Sequence, residues 1–351
     1  MSAARPPRIV HWGLGPVGAA IAREVLRRRA YEVAGAADRD PAKAGRDLGE
    51  LLALEAPLGV EVAADPAALL AAAAPDLVVL TTASSVDAIR PQVLECLAAG
   101  AAVVTTCEEL SFPWATRPEP ACEIDEAARA AGVAVLSTGV NPGFLMDYLP
   151  AAASGLCREV RRVAVERIQD AGPRRQAFRD KIGAGLEPAE FRARVARGAL
   201  RHVGLPESVY AIAAALGWRL DRVEETIEPL FPADETDAAA ETACAGGETA
   251  CAGGETPRAA GVEQIARGWS GGEERITLTF RAAVGEPAPR DRLVIEAVPP
   301  LDLTIAGGVH GDLATCNVVV NAIPVVLRAA PGLRTMLDVG TITARDAAAP
   351  P

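Results

Sequence analysis

Several things are missing from this sequence, and each absence narrows what the chain can be. Its seven cysteines (96, 107, 122, 157, 244, 251 and 316) contain no C-x-x-C pair. Their scatter and odd number argue for free thiols in a reducing cytoplasm and against a disulfide framework. There is no long basic run and no basic stripe with interleaved aromatics, and the net charge is −11. Nucleic acid is therefore not expected as a partner. The one arginine patch, Arg27-Arg28-Arg29, falls late in a helical segment, where it complements the negative dipole end. The opening MSAARPPR lacks the apolar core of a signal peptide and leads straight into a strand pattern. No apolar stretch is long and uninterrupted enough to cross a bilayer; 314–330, for example, carries Asn317, Asn321, Pro324 and Arg328. A cytoplasmic protein without a membrane partner is expected.

Half of the 351 residues are hydrophobic, enough for a sizeable core and for about two domains of roughly 150 residues each. The chain is organised around Arg8–Asp38, which reads as strand, glycine turn, helix, strand. The turn is Gly13-Leu14-Gly15-Pro16-Val17-Gly18, and Asp38 follows Gly18 by twenty residues. Gly13 permits the tight turn, Gly15 keeps side chains away from a pyrophosphate, and Gly18 lets helix and strand pack closely. The helix N-terminus offers free N–H groups and a positive dipole end to phosphates. With strand, helix and acid all in place, this is a dinucleotide-binding fingerprint.

Apolar runs then alternate with helical segments up to about residue 144, giving a Rossmann-type doubly wound parallel sheet, an α/β domain. Residues 145–310 change character: Arg158–Ile168, Val223–Leu230, Val262–Trp269, Arg275–Ala283 and Asp291–Val298 alternate as strands, and Pro188–Ala199 and Pro206–Leu216 read as helices. This predicts a second, α+β domain on a mostly antiparallel sheet, for substrate and dimerisation. Residues 311–345, with a helix over 314–329, should pack back on the first domain. The span 233–258 holds a tandem repeat, ETACAGG-ETACAGG, among acids, and reads as a disordered surface loop. Local duplication explains the spacing of Cys244 and Cys251 better than metal binding, and no metal site is expected.

In an open parallel sheet, ligands bind beyond the carboxyl ends of the strands. Four loops matter: 13–18, 81–85, 105–113 and 138–144. The expected cofactor contacts are Gly13, Gly15, Pro16, Val17 and Gly18 in the turn; Asp38 and Arg39 at the ribose; Thr81, Thr82 and Ser84 after the next strand; and Cys107 and Asn141. Ser84 or Ser85 can also cap the following helix. Glu108 and Glu109 lie where the nicotinamide should rest, and a carboxylate there can hold or deprotonate an amine. Strand phase favours Glu108 as the catalytic group and turns Glu109 outward, leaving it as a substrate contact. Phe144 and His310 are further substrate candidates; His310 could equally satisfy its own turn. Cys107 has no histidine partner, so packing is preferred to a nucleophilic role. His11 is read as structural, and His202 receives no role.

Six stretches carry a family resemblance: HWGLGPVG near the start, TTCEELSFPW at 105–114, STGVNPGFLMD at 137–147, KIGAGL at 181–186, HVGLPES at 202–208 and GGVHGDLATCNVVVNAIP at 307–324. On these the chain resembles the NAD(P)-dependent amine dehydrogenases related to 2,4-diaminopentanoate dehydrogenase, which have a dihydrodipicolinate reductase-like fold. The resemblance implies reversible oxidative deamination of a primary amine to a carbonyl compound plus ammonia. It implies Glu108 as the key carboxylate, and a homodimer. The isolated histidines do not form the paired-histidine motif of dihydrodipicolinate reductases, and Cys107-Glu108-Glu109-Leu110 replaces the Glu-Lys-Pro of related sugar dehydrogenases. An extra acid in place of a lysine suits a cationic substrate. A reductase of a C=N or C=C bond and a non-enzymatic dinucleotide binder are the alternatives. Asp38 favours NAD, and Arg39 beside it would let NADP be tolerated.

Overall fold

The computed structural model describes residues 5–174, 176–232 and 257–344. The ETACAGG duplication and the tail after residue 345 lie outside the described residues. Two compact units are present: residues up to Leu149 together with those from His310 onward, and Pro150–Val309.

The first unit alternates β1 (Arg8–Trp12), α1 (Pro16–Arg28), β2 (Glu32–Ala37), α2 (Leu48–Leu51), β3 (Val62–Ala63), α3 (Pro66–Ala73), β4 (Leu77–Leu80), α4 (Val86–Ala98), β5 (Ala102–Thr105), α5 (Pro118–Ala131) and β6 (Ala134–Ser137). Next come α6 (Tyr148–Ser154), β7 (Arg158–Asp170), α7 (Gln176–Lys181), α8 (Pro188–Ala196), α9 (Leu205–Ala215), β8 (Arg222–Leu230), β9 (Gly261–Ser270), β10 (Glu273–Ala283), β11 (Arg290–Val298) and β12 (Leu301–Ala306). The chain then returns to the first unit with α10 (Gly311–Val326) and β13 (Gly332–Arg334).

The first sheet runs β13-β6-β5-β4-β1-β2-β3 and every pair in it is parallel. This is the Rossmann-type doubly wound order with one strand added at the β6 edge. Its central strands are short apolar runs buried along their whole length: LVVL in β4, AVVT in β5 and AVLS in β6. Because successive side chains point to opposite faces, each strand feeds two cores. Ile9, Leu77, Val79, Val104 and Leu136 pack with Ile21 and Val25 of α1 and Val319, Val320 and Ile323 of α10. Val10, Val78, Leu80, Val103 and Val135 pack with Ile89 and Val93 of α4 and Ile124 of α5.

α10 begins three residues earlier than expected. It is held against α1 by Arg28, whose guanidinium donates to Glu24 (2.8 Å) and to the Asn321 Oδ1 (2.6 Å). The arginine patch therefore supplies a buried bridge as well as dipole compensation.

β1 also carries His11, on the same face as Ile9 by alternation. It is fully buried, and neither ring nitrogen has a hydrogen-bond partner. Burial disfavours the imidazolium and lowers its pKa to about 4. The unfolded chain binds that proton near pH 6.5, so this residue's contribution is intact above pH 6.5 and is lost as pH falls towards 4, at about 1.4 kcal/mol per pH unit. His11→Leu should therefore lose less stability than wild type between pH 7 and 5 in urea unfolding. Identical losses would refute this account.

The second unit is built on a six-stranded sheet, β12-β11-β7-β10-β9-β8. All pairs are antiparallel except β7 with β10, so the sheet is mixed and mostly antiparallel, as the alternating segments predict. Helix α9 lies over β8, β9 and β10. The edge strand β12, absent from the sequence reading, leaves Leu303 and Ile305 exposed. On the inner face the strand phase that carries Val163 and Val165 continues into Arg167 and Gln169, both buried. Arg167 pairs with Asp291 of β11 at 2.8 Å, and the two side chains are 2% and 6% exposed. Arg167 and Gln169 both donate to the Val309 carbonyl, while the Val309 N–H donates to Asp291.

Candidate active site

The strand order reverses between β1 and β4, and the loops after these strands flank the crevice where such sheets bind ligands. The glycine turn follows β1. Its shape is held by the Thr81 hydroxyl, which donates to the Gly13 carbonyl (2.8 Å), and by the Gly13 N–H, which donates to Ala37 (2.9 Å). Gly13 has φ +98°, a left-handed conformation that favours glycine. A Cβ on Gly18 would lie 2.0 Å from the Gly13 carbonyl oxygen and 2.4 Å from the Thr81 hydroxyl oxygen. A Cβ on Gly15 would meet nothing within 4 Å. Gly15 thus borders open space, while Gly18 answers to packing inside the protein. Gly15 is also the N-cap of α1, which has no side-chain cap, no acid in its first turn and Pro16 at its start. Its leading N–H groups at Val17 and Gly18 suit an anion, and a dinucleotide pyrophosphate fits this cradle. Gly18→Ala should destabilise the protein by at least about 1–3 kcal/mol, because the obstacle is backbone. A thermal unfolding midpoint equal to wild type would contradict that.

Asp38 ends β2. Its Oδ2 accepts from the Leu14 N–H (2.8 Å) and the Lys43 ammonium (2.9 Å), and its Oδ1 accepts from the Asp40 N–H (2.9 Å). Burial works against ionisation here, but these donors outweigh it and hold the carboxyl below its ordinary range. Arg39 is exposed beside it. Lys43 was not singled out from the sequence. The signal was a lysine in the polar turn Asp40–Arg46 directly after the acid.

Beyond β5 the chain makes a single 3₁₀ turn over Glu108–Leu110, and this turn gives the two glutamates different surroundings. Glu109 does not point outward as strand phase suggests. Its side chain is buried, its N–H donates to the Ser84 carbonyl (3.2 Å), and its Oε2 accepts from the Val86 N–H (3.0 Å) at the start of α4. Ser85 is the N-cap residue of α4 but makes no side-chain cap bond, so the expected serine cap is replaced by Glu109. This stitches the loops after β4 and β5 together. Glu108 is left half-buried at the carboxyl end of β5, its carbonyl held by the Ser111 hydroxyl (2.7 Å). The Cys107 thiol is fully buried in the apolar core, in line with a packing role; burial pushes its pKa up, and its carbonyl accepts from the Ser137 hydroxyl.

The remaining candidates separate. Thr81 spends its hydroxyl on the glycine turn, and Thr82 donates to the Gln92 side chain (2.6 Å). Ser84 contributes its carbonyl to Glu109. Asn141 is buried next to a cis peptide to Pro142. Phe144 packs against the α1/α10 core with its ring 5.4 Å from Tyr148. His310 is exposed and is the N-cap of α10, its Nδ1 accepting from the Leu313 N–H (3.4 Å). It belongs to the first unit.

Residues 144–349 match the family described as the 2,4-diaminopentanoate dehydrogenase C-terminal domain. Residues 13–136 match the homoserine dehydrogenase NAD-binding domain. A 2,4-diaminopentanoate dehydrogenase from Acetoanaerobium sticklandii is 30% identical, over 94% of this chain and 92% of its own. The chain belongs to the 2,4-diaminopentanoate dehydrogenase family. An amine dehydrogenase from Streptomyces virginiae is 28% identical over 94% of this chain and 95% of its own. The solved amine dehydrogenase of Mycobacterium smegmatis superposes with a TM-score of 0.81 at 25% identity, covering 99% of both chains.

The second unit, which lies within the stretch matched to the family, holds polar groups that the sequence reading passed over. His202 is half-buried, with its ring 4.3 Å from that of Phe280. Its N–H donates to Gln264 Oε1 (2.6 Å), and Gln264 Nε2 returns the bond to the His202 carbonyl (2.8 Å) and reaches Glu225 (2.7 Å). Burial, then the Lys181 and Arg167 charges, lower the His202 pKa to about 3, so it is neutral at pH 7. For Glu225 and Gln264 the sequence signal was a polar residue on the inward phase of a strand. Among the described residues, no cluster of His, Cys, Asp and Glu could hold a metal, and no helix is long and apolar enough to cross a membrane.

Proposed function

We propose that this chain is an NAD-dependent amine dehydrogenase, interconverting a primary amine and a carbonyl compound plus ammonia, with Glu108 as the carboxylate that holds the amine and takes its proton. One observation carries the reading. Of the two glutamates in the turn after β5, Glu109 is buried and accepts from the start of α4, whereas Glu108 is half-buried after the carboxyl end of β5, which supports it as the group available to a ligand. The names and coverage of the relatives support the reaction class. The glycine turn and the α1 N-terminus would hold the pyrophosphate, and Asp38 the ribose. The bound nicotinamide supplies a hydride acceptor. Glu108 provides negative charge where the substrate ammonium docks and a base for its proton.

Use of NADP beside NAD, a homodimer and a cytoplasmic location belong to the same proposal. Five described thiols that are all free accord with a reducing compartment. The test is reduced-cofactor absorbance with a panel of amines, including 2,4-diaminopentanoate, and with carbonyl compounds with and without ammonia. Amine-dependent formation and ammonia-dependent consumption are expected. Consumption that ignores ammonia would indicate a C=N or C=C reductase instead.

A further inference from the structure

We infer that Lys43 is the residue that lets this site accept a dinucleotide carrying a 2′-phosphate as well as one with a free ribose. The inference rests on the dinucleotide-binding part of the proposed function. An acid at the end of β2 normally favours the free hydroxyl, since a carboxylate accepts its hydrogen bond and repels a phosphate. Here the acid already has a counter-ion. The Lys43 ammonium lies 2.9 Å from Asp38 Oδ2 and 3.6 Å from Asp40 Oδ2.

The placement is built in. Asp40 accepts from the Ala42 N–H through its side chain, and the Lys43 and Ala44 N–H groups donate to its carbonyl, so the turn delivers Lys43 back onto Asp38. Lys43 stays about a quarter exposed, so its ammonium can still reach a ligand.

Counting acceptor sites shows what each cofactor would find. A carboxylate offers about four. At Asp38, Leu14 and Lys43 occupy two on Oδ2 and Asp40 one on Oδ1, leaving one. One ribose hydroxyl can donate into that site with Lys43 in place. A second would have to displace the lysine. A 2′-phosphate would meet a neutralised carboxylate and a cation able to turn towards it. Exposed Arg39 has no such fixed position. The lysine thus weakly opposes NAD and strongly assists NADP.

The experiment is equilibrium binding of NADH and NADPH, followed by cofactor fluorescence on the full chain without amine, so that it does not depend on turnover. Wild type is expected to bind both, with NADPH binding weakened more by added salt. Lys43→Met is expected to weaken NADPH by about tenfold or more and to leave NADH equal or tighter; Lys43→Arg should retain NADPH. An equal change for both cofactors, or none, overturns the role of Lys43 while leaving the amine dehydrogenase reading intact. Failure of wild type to bind NADPH also overturns it. Binding of neither cofactor removes both this inference and the proposed function. Should Lys43→Met fail to fold, the salt dependence of wild type and the Lys43→Arg affinities decide the matter.

Discussion

Glu108→Gln is expected to lower kcat/KM for amines by about 10²- to 10⁴-fold, the usual contribution of a positioned acid or base. Glutamine keeps the shape and can still accept a hydrogen bond, but it cannot take a proton or carry charge. Dinucleotide binding should survive, since Glu108 is not among the groups that form the glycine cradle. The neighbouring acid provides the contrast. Glu109→Gln retains an oxygen able to accept from the Val86 N–H, and should mainly disturb α4. Glu109→Ala removes that acceptor, and should destabilise the protein by about 1 kcal/mol, as for other lost helix caps. Steady-state kinetics and thermal unfolding on the three variants separate the roles. Unchanged turnover in Glu108→Gln, or a larger rate loss in Glu109→Gln, would reverse the assignment.

The second large effect is expected in stability. Asp291→Ala leaves the Arg167 guanidinium, 2% exposed, without the carboxylate it pairs with at 2.8 Å. Removing one member of a buried ion pair costs about 3–5 kcal/mol, because a charge is stranded away from water. Asp291 also holds the Val309 N–H (2.7 Å), so the strand exit before α10 loses a tether. Denaturant unfolding should show the loss. Replacing both partners together, Arg167→Met with Asp291→Leu, should recover much of it, since no charge then remains buried. A change below about 1 kcal/mol in Asp291→Ala would show that the pair is hydrated and unimportant.

Much of the architecture was legible in the chain. Runs such as LVVL and AVVT are buried over their whole length because both faces of a parallel strand are covered, and a continuous apolar run is the signature of that. The second sheet announced itself by period-two alternation in β7 to β11. What escaped notice was short or marginal. β13 has three residues and is a strand because β6 presents an unpaired edge to it. β12 alternates Leu301, Leu303 and Ile305, but as a half-covered edge it leaves two of these exposed. The polar inward residues Arg167, Gln169, Gln264 and Asp291 broke the apolar phase of their strands, and that break marked positions paired within the fold.

By itself, the sequence determined the dinucleotide fingerprint. Gly13, Gly15 and Gly18 are set by backbone geometry and Asp38 by its place directly after β2, all within one βαβ unit, and the order and spacing of residues dictate such local geometry. It also singled out the two glutamates after β5 as the candidate catalytic groups. Only the tertiary structure gave them different surroundings, Glu109 buried against the start of α4 and Glu108 half-buried beside it. The difference depends on one 3₁₀ turn and on an N–H of α4 that needs a buried acceptor, a demand made by a different segment of the chain. The same holds for Lys43, whose meaning comes from where the turn after β2 returns it. Charges three to five residues apart in a loop have no fixed relation until hydrogen bonds elsewhere fold that loop.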